Sequence, residues 1–278
     1  MNLDKFSLNG EILPITEAKI AISNIEYQYG FGVYETIRVV KDIPYFVDVH
    51  IGRILQSAKM IGIVHTYSAG DIYQDIFNLI SEIGSNAAFN IKILLIGAPE
   101  ATKCLLYMIP LAPKFPDRKI YKYGISLVTT KYERLFPQVK TLNMLGSYLA
   151  YRMAKQGGHQ DALLINNEGF ITEGTRSNFF LIKDKTIFTA PRDMVLDGVT
   201  KRTILNVAMK NGFIIKEKNL SPSELGDYDG AFITNTSDRI VPVRQIDNFC
   251  FSAIPESIKE LIQLFDEYLG KYAKSFIE

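Results

Sequence analysis

The sequence predicts a two-domain protein of the α/β (α+β) class, in which a smaller domain precedes a larger one. The chain has 278 residues, which is enough for one large domain or two ordinary ones. Strand-like and helix-like patterns occur in both halves, and residues 112–118 (APKFPDR) between them resemble a linker because they combine two prolines with three charges. We therefore expect domains at 1–112 and 119–278, joined by residues 113–118.

The first domain shows strand signals and helical periodicity in turn. Residues 31–40 (FGVYETIRVV) are rich in β-branched and aromatic side chains, which favour strands. The spacing of Ile51, Ile54 and Ala58 is typical of an amphipathic helix. The predicted elements, in chain order, are strands at 31–40 and 43–47 that form a hairpin, a helix from Val49, a helix that ends near Gly84, and strands at 91–97 and 104–109.

The second domain continues the mixed pattern. The predicted elements are strands near 124–130, 161–166, 179–183, 186–190, 213–217 and 231–234, and helices at 143–156 and 199–211. A C-terminal helix carries an apolar stripe that includes Ile258, Leu261 and Phe265. We interpret this stripe as a packing surface and not as part of a site.

Composition excludes several classes of function. The net charge is +1, with 31 basic and 30 acidic residues and no long block of one sign, so nothing predicts nucleic-acid binding. Cys104 and Cys250 are far apart and belong to no metal-binding pattern, which favours free thiols in a reducing compartment. We recognise neither a signal peptide nor an apolar run long enough to span a membrane, and we expect a soluble cytoplasmic protein.

Two segments have the character of phosphate sites. Gly198-Val199-Thr200 begins a predicted helix, where unpaired N–H groups and the positive end of the dipole attract anions. Residues 234–237 (TNTS) end an apolar strand with hydroxyls and backbone donors. Taken alone, the first segment is better explained as an ordinary helix cap and the second as an ordinary turn.

Lys140 and Glu173 are further candidates whose local surroundings leave two interpretations open. Lys140 has apolar neighbours, as a desolvated lysine nucleophile requires, but a solvated surface lysine is also compatible. Glu173 suits either an exposed turn or a carboxylate that keeps a pyridine nitrogen protonated.

Taken together, these segments closely resemble the fold-type IV pyridoxal 5′-phosphate (PLP) enzymes, which include branched-chain aminotransferases, D-amino acid aminotransferases and aminodeoxychorismate lyases. Residues 29–38 (YGFGVYETIR) are similar to the family's early strand motif YGxGVFExIR. The stretch His50-Ile51-Gly52-Arg53-Ile54 is similar to its HxxRL helix, and Val241-Pro242-Val243 follows the second phosphate loop. The resemblance covers nearly the whole chain, in the family's order.

The resemblance implies a role for each matching residue and a cofactor in the cleft between the domains. Lys140 matches the Schiff-base lysine, and Glu173 matches the acid that pairs with the pyridine nitrogen. Arg53 matches the arginine that binds the cofactor phosphate. The remaining phosphate contacts correspond to Val199, Thr200, Thr236 and Ser237.

Transamination between an amino acid, of the branched-chain L- or D-amino acid type, and a 2-keto acid is the reaction that the resemblance implies. Substrate recognition is less defined, because the middle strand lacks the arginines of the best-known relatives. Tyr29, Tyr34, Arg38 and Lys92 are the substrate-binding candidates. A lyase that eliminates pyruvate and a non-catalytic PLP-binding protein are the alternatives, although a scaffold would need neither Lys140 nor Glu173. The resemblance also implies a homodimer.

Overall fold

The computed structural model describes residues 3–84, 88–112 and 117–277, and the chain divides into two compact units. The first unit comprises Met1–Lys114 and Val139–Asn143, and the second comprises Phe115–Gln138 and Met144–Glu278. The segment 139–143, which contains Lys140, was expected in the larger C-terminal domain but belongs to the first unit. Residues 113–116 of the predicted linker lie outside the described residues, and the predicted domain boundaries stay a prediction.

The first unit is built on a six-stranded sheet with the strand order β2-β1-β6-β5-β3-β4. Its elements are β1 (Lys5–Leu8), β2 (Glu11–Pro14), α1 (Ile25–Gln28), β3 (Gly32–Val40), β4 (Ile43–Pro44), α2 (Val47–Met60), α3 (Ala69–Ile83), β5 (Ala88–Ile96) and β6 (Leu105–Leu111). Central strand β3 pairs with β5 along its whole length, from Gly32↔Ile96 to Val40↔Ala88. Alternate residues of β3 are buried, and α2 packs against this strand.

Two turns in the first unit depart from the sequence prediction. The hairpin of β1 and β2 was not predicted, although its turn is Asn9-Gly10, with φ of 52° and 87°, a typical signal for a two-residue hairpin. The predicted strand 43–47 was too long at its C-terminal end. Phe46 has a left-handed φ of 58°, which ends the extended backbone, and α2 begins at Val47.

The second unit contains a nine-stranded sheet with the path β12-β11-β10-β13-β14-β7-β8-β9, and β15 pairs with β14. Its elements are α4 (Lys119–Tyr123), β7 (Ile125–Lys131), α5 (Leu145–Gln156), β8 (Asp161–Ile165), β9 (Ile171–Gly174), β10 (Asn178–Lys183), β11 (Thr186–Thr189), α6 (Val199–Lys210), β12 (Ile214–Glu217), β13 (Gly230–Asn235), β14 (Arg239–Ile246), β15 (Phe249–Cys250) and α7 (Glu256–Ile277). The last strand of the path, β9, also pairs with β10 at Glu173↔Asn178. Six strands of the sheet therefore close into a ring, and Glu173 lies at the point of closure.

Apolar side chains from the strands of this ring form the main core of the second unit, including Leu127, Leu163 and Phe179. The predicted stripe of α7 is a packing surface, because Ile258 and Leu261 are fully buried. Burial of each such side chain contributes about 1.5–3 kcal/mol to stability. In the part of the chain that the structure describes, no helix combines the length and apolar character needed to cross a membrane.

Candidate active site

Lys140 lies in an extended segment that pairs with the edge of β3 inside the first unit. The Tyr34 N–H donates to the Lys140 carbonyl at 2.9 Å, and the Leu142 N–H donates to the Gly32 carbonyl at 2.8 Å. A Cβ atom at Gly32 would lie 2.6 Å from Leu142 Cδ1 and 3.0 Å from the Leu95 carbonyl oxygen. The lysine-bearing segment therefore packs closely against β3 at this glycine.

The amine of Lys140 lies over the ring of Tyr34, with Nζ 4.4 Å from the ring centroid. Lys92 Nζ lies 5.7 Å from the same centroid, so the two amines lie near one tyrosine ring. Such cation–ring contacts contribute about 0.5–1 kcal/mol at exposed sites and more when desolvated. Both lysines are half-buried, which suits groups that meet a ligand.

Three of the four substrate-binding candidates share one face of the first sheet. Tyr34, Thr36 and Arg38 are alternate residues of β3, and Lys92 on β5 is directly opposite Thr36. Tyr29 is not part of this group, because it follows α1 and 81% of its side chain is exposed.

The other face of β3 carries a buried charged cluster, formed by Glu35, His50 and Arg53. Glu35 is fully buried and accepts from Arg53 Nε at 2.5 Å and Arg53 Nη2 at 2.8 Å. His50 Nδ1 lies 2.8 Å from Glu35 Oε2. Arg53 and His50 are three residues apart on α2, so both point from the same side of the helix toward β3.

Burial and charge together set the protonation states of this cluster. Burial raises the pKa of Glu35, but the charges and hydrogen bonds of Arg53 and His50 outweigh it and hold the pKa well below its usual value. Burial lowers the pKa of His50, and the attraction of Glu35 offsets this only in part. At neutral pH we therefore infer an ionised Glu35 and a neutral His50 that donates its Nδ1 hydrogen to the carboxylate.

Glu173, at the end of β9, is held by a second arginine. Arg134 Nη1 donates to Glu173 Oε1 at 2.6 Å, and the Leu196 N–H donates to Glu173 Oε2 at 3.2 Å. Arg134 also donates to the Pro137 carbonyl at 3.1 Å, which restrains the guanidinium. Glu173 and Arg134 line a polar cavity of about 310 Å³ in the second unit. The carboxylate is thus oriented by two donors and still borders open space.

Thr234, the first residue of the predicted phosphate segment 234–237, lies in one row with Glu173 in the second sheet. Asn178 pairs with Glu173 on one side and with Thr234 on the other, so the three residues form a row across β9, β10 and β13. Two strand spacings, about 10 Å, separate the ends of this row.

The N-terminus of α6 adjoins this row. Its N-cap is Gly198, which offers no side-chain cap to the N–H groups of Val199 and Thr200. A Cβ atom at Gly198 would overlap the Asn178 side chain, so the first turn of α6 lies directly against the row. A twelve-residue helix with an uncapped first turn is a favourable anion site.

Some backbone N–H groups of the turn after β13 are hydrogen-bonded within the turn itself. The Ser237 N–H donates to Asn235 Oδ1 at 2.9 Å, and the Asp238 N–H donates to the same atom at 2.8 Å. The backbone N–H of Ser237 is therefore engaged within the turn. Thr236 is half-buried at the centre of the turn, and its contact with a phosphate stays a prediction.

Three ionisable residues of these clusters were not predicted from the sequence as site residues: Glu35, His50 and Arg134. A signal existed for Glu35, because the two-residue period of β3 puts it on the buried face with Val33 and Ile37. A charged residue in an apolar series indicates a buried partner. Arg134 lies in a segment without regular structure and has no comparable signal.

Comparison with known proteins identifies the family. Residues 32–246 match the model for "amino-transferase class IV". The chain belongs to the class IV aminotransferase family. It is 31% identical to the D-alanine aminotransferase of Bacillus licheniformis over 253 residues, covering 87% of this chain and 88% of that protein.

Solved structures of class IV aminotransferases share the fold. The branched-chain aminotransferase of Thermoproteus uzoniensis, determined with norvaline, has a TM-score of 0.86 and 25% identity, with 97% of this chain and 96% of that chain covered. The PLP form of the Thermobaculum terrenum branched-chain aminotransferase has a TM-score of 0.85 and 21% identity, with 96% and 94% covered.

These comparisons confirm the predicted fold class and the enzyme class. The protein transfers an amino group between an amino acid and a keto acid, and PLP is the cofactor of its family. The predicted cofactor residues come from both units: Lys140 and Arg53 belong to the first, and Glu173, Val199, Thr200, Thr236 and Ser237 belong to the second.

Proposed function

We propose that this class IV aminotransferase binds PLP covalently through Lys140 and transfers amino groups between aliphatic amino acids and 2-keto acids. The observation that carries the proposal is the position of Lys140, whose half-buried amine shares one sheet face with Tyr34 and Lys92. A lysine in that setting is held in a defined place, beside a second cation suited to a substrate carboxylate.

The second unit offers groups that fit the rest of the cofactor. Glu173, restrained by Arg134 and Leu196, would hold the pyridine nitrogen in its protonated form. Val199 and Thr200 at the start of α6 would bind the phosphate, with Thr236 and Ser237 contributing from the neighbouring turn. Arg53 of the first unit would add a guanidinium contact. When bound, PLP supplies an electron sink for the substrate's α-carbon.

Lys140 would have a second role once the substrate amine has displaced it from the cofactor. Its Nζ would then carry the proton between the substrate's α-carbon and the cofactor. The hydrogen bonds of the Lys140 and Leu142 backbones to β3 support this role, because they fix the backbone from which the amine extends.

Substrate preference follows from the composition of the same sheet face. Lys92 and Arg38 provide positive charge for a carboxylate, and we propose Lys92 as its main partner. Leu94, Ile109 and Leu142 are partly buried apolar residues that pack against one buried apolar cluster of the first unit. A cationic region beside an apolar one fits an amino acid with an aliphatic side chain, which agrees with the D-alanine and branched-chain substrates in the relatives' names.

The first experiment compares Lys140→Ala with wild type and with Lys155→Ala, an exposed lysine on α5. Borohydride reduction in the presence of PLP, followed by peptide mass spectrometry, should label Lys140 in the wild type and in the control. Lys140→Ala should lose the label and nearly all turnover. If Lys140→Ala keeps its turnover and is labelled at another lysine as strongly as the wild type is at Lys140, the assignment of Lys140 as the PLP-binding lysine is refuted.

Substrate assays separate the remaining alternatives. Paired L- and D-forms of alanine, valine and leucine, each with 2-oxoglutarate, should yield the matching keto acid from one enantiomer. Release of pyruvate from aminodeoxychorismate, with no keto acid from any donor, would favour the lyase.

We also propose a homodimer in the cytoplasm. Helix α5 exposes a stripe of apolar side chains, Leu145, Tyr148, Leu149 and Met153, each at least 49% exposed. Stripes of this kind on a folded protein are typical of an interface, and the free thiols of Cys104 and Cys250 agree with a reducing compartment. Sedimentation should show a dimer that Leu149→Glu weakens, and a wild-type monomer at micromolar concentration would contradict the proposal.

A further inference from the structure

We propose that Glu35 is a positioning residue for the cofactor phosphate, which it serves by holding the guanidinium of Arg53 in one orientation. This inference rests on the proposed role of Arg53 as a phosphate ligand. Glu35 itself contacts neither the phosphate nor the substrate. Its proposed function is to fix the orientation of the Arg53 guanidinium.

The geometry of the pair is that of a fixed fork. Glu35 Oε1 accepts from Arg53 Nε at 2.5 Å and Oε2 accepts from Nη2 at 2.8 Å, so one edge of the guanidinium is bound at two points. A bidentate arginine–carboxylate pair sets both the position and the plane of the guanidinium. Without it, a long arginine side chain would sample several rotamers and would lose that freedom when the phosphate binds.

His50 completes the cluster from the same helix. Its Nδ1 bonds to Glu35 Oε2 at 2.8 Å, and 1% of the imidazole is exposed, compared with 0% of the Glu35 side chain and 10% of the Arg53 side chain. The carboxylate is thus clamped on both oxygens. A carboxylate this deeply buried is tolerated only because its partners satisfy it.

The charges of the cluster indicate that Glu35 would favour phosphate binding through geometry and not through electrostatic attraction. The Glu35 carboxylate balances the charge of Arg53, and the neutral His50 adds none, so the cluster as a whole carries no net charge. An anion near a phosphate site weakens phosphate binding by repulsion. If electrostatics alone mattered, removing the charge of Glu35 would strengthen PLP binding. A positioning role predicts the opposite sign.

Glu35 also links the phosphate arginine to the lysine segment. It directly follows Tyr34, whose N–H donates to the Lys140 carbonyl at 2.9 Å. Two consecutive residues of β3 therefore fix the backbone of Lys140 and the guanidinium of Arg53. The proposed covalent attachment of the cofactor and one of its proposed phosphate contacts therefore both depend on the same short stretch of β3.

The test compares PLP with pyridoxal, which has the same aldehyde and ring but lacks the phosphate. The quantity measured is the phosphate preference, defined as the Kd for pyridoxal divided by the Kd for PLP, in the cofactor-free full-length chain. We expect Arg53→Ala to reduce this preference about 100-fold, as the loss of charge-assisted hydrogen bonds would. We expect Glu35→Gln to reduce it about 10-fold and the double variant to match Arg53→Ala alone.

Controls and outcomes separate this inference from the proposed function. Glu82→Gln, which alters an exposed pair with Lys5 in the same unit, should leave the preference unchanged. If Arg53→Ala lowers the preference and Glu35→Gln does not, or if Glu35→Gln tightens PLP binding, the inference fails while the role of Arg53 stands. If Arg53→Ala has no effect on the preference, both fail.

A second variant keeps the test decisive if Glu35→Gln does not fold. Glu35→Asp keeps the charge but shortens the side chain by one methylene, so it cannot span the same distance to both nitrogens. The positioning role predicts a several-fold loss of preference for Glu35→Asp, with Lys140 still labelled by borohydride and PLP. Equal weakening of PLP and pyridoxal would mean that Glu35 serves stability alone and would overturn the inference.

Discussion

Two buried carboxylate–arginine pairs, one in each unit, have almost the same chemistry and different surroundings. Glu35 binds Arg53 through both oxygens and is sealed from solvent, with His50 as a third partner. Glu173 binds Arg134 through one oxygen, takes a backbone N–H on the other and lines a polar cavity. The carboxylate of the sealed pair, Glu35 and Arg53, is closed off from any ligand, whereas that of the open pair, Glu173 and Arg134, borders a cavity, where we propose that it meets the cofactor. Surroundings, and not residue type, distinguish the two carboxylates.

The largest effect should come from breaking the sealed pair. Glu35→Gln leaves the Arg53 guanidinium buried without its counter-charge, and loss of one partner from such a pair costs about 3–5 kcal/mol. Glu173→Gln should cost less stability, because Arg134 is 19% exposed and the cavity admits water. Urea unfolding of the two variants measures the difference. Equal losses would show that the two pairs are equally sealed.

Turnover should respond in the reverse order. With PLP saturating, Glu173→Gln should lower kcat about 100-fold, since it removes the anion proposed to keep the pyridine nitrogen protonated. Glu35→Gln should lower kcat much less once PLP is saturating, because Glu35 acts on cofactor retention. Glu168→Gln, an exposed acid at the rim of the cavity, is the matched control. A Glu173→Gln enzyme with wild-type kcat would contradict the proposed role of Glu173 at the pyridine nitrogen.

Acid should reduce stability through the sealed pair, and the sign follows from the shifts. The pKa of Glu35 is lowered in the folded state, so the unfolded chain binds the proton first as the pH falls below 4.5. The advantage of wild type over Glu35→Gln should then shrink by about 1.4 kcal/mol per pH unit. His50, whose pKa is also lowered, adds a loss that begins below 6.5.

Thermal unfolding of wild type and Glu35→Gln between pH 7 and pH 4 checks this prediction. The two curves should run parallel at high pH and converge below 4.5. A constant gap over the whole range would mean that the pKa of Glu35 is the same in the folded and the unfolded chain. The ion pair with Arg53 would then contribute nothing to stability.

The sequence by itself determined the elements with strong periodicity and supplied the candidate cofactor residues. Strand β3, helix α6 and the stripe of α7 follow from apolar residues at spacings of two or three to four, which local backbone geometry imposes. Lys140, Glu173 and Thr200 were found because several motifs match one family in order. A motif reports which chemistry a residue type serves, but not what it touches.

Only the tertiary structure decided which groups hold those residues in place. Lys140 belongs to the first unit because residue 141 pairs with residue 33, and a hydrogen-bonded pairing between such distant positions leaves no local pattern. The same is true of Arg134 and Glu173, and of Glu35 and Arg53. Sequence periodicity reflects burial along one element. An ion pair between two elements depends on the tertiary packing that brings distant parts of the chain together.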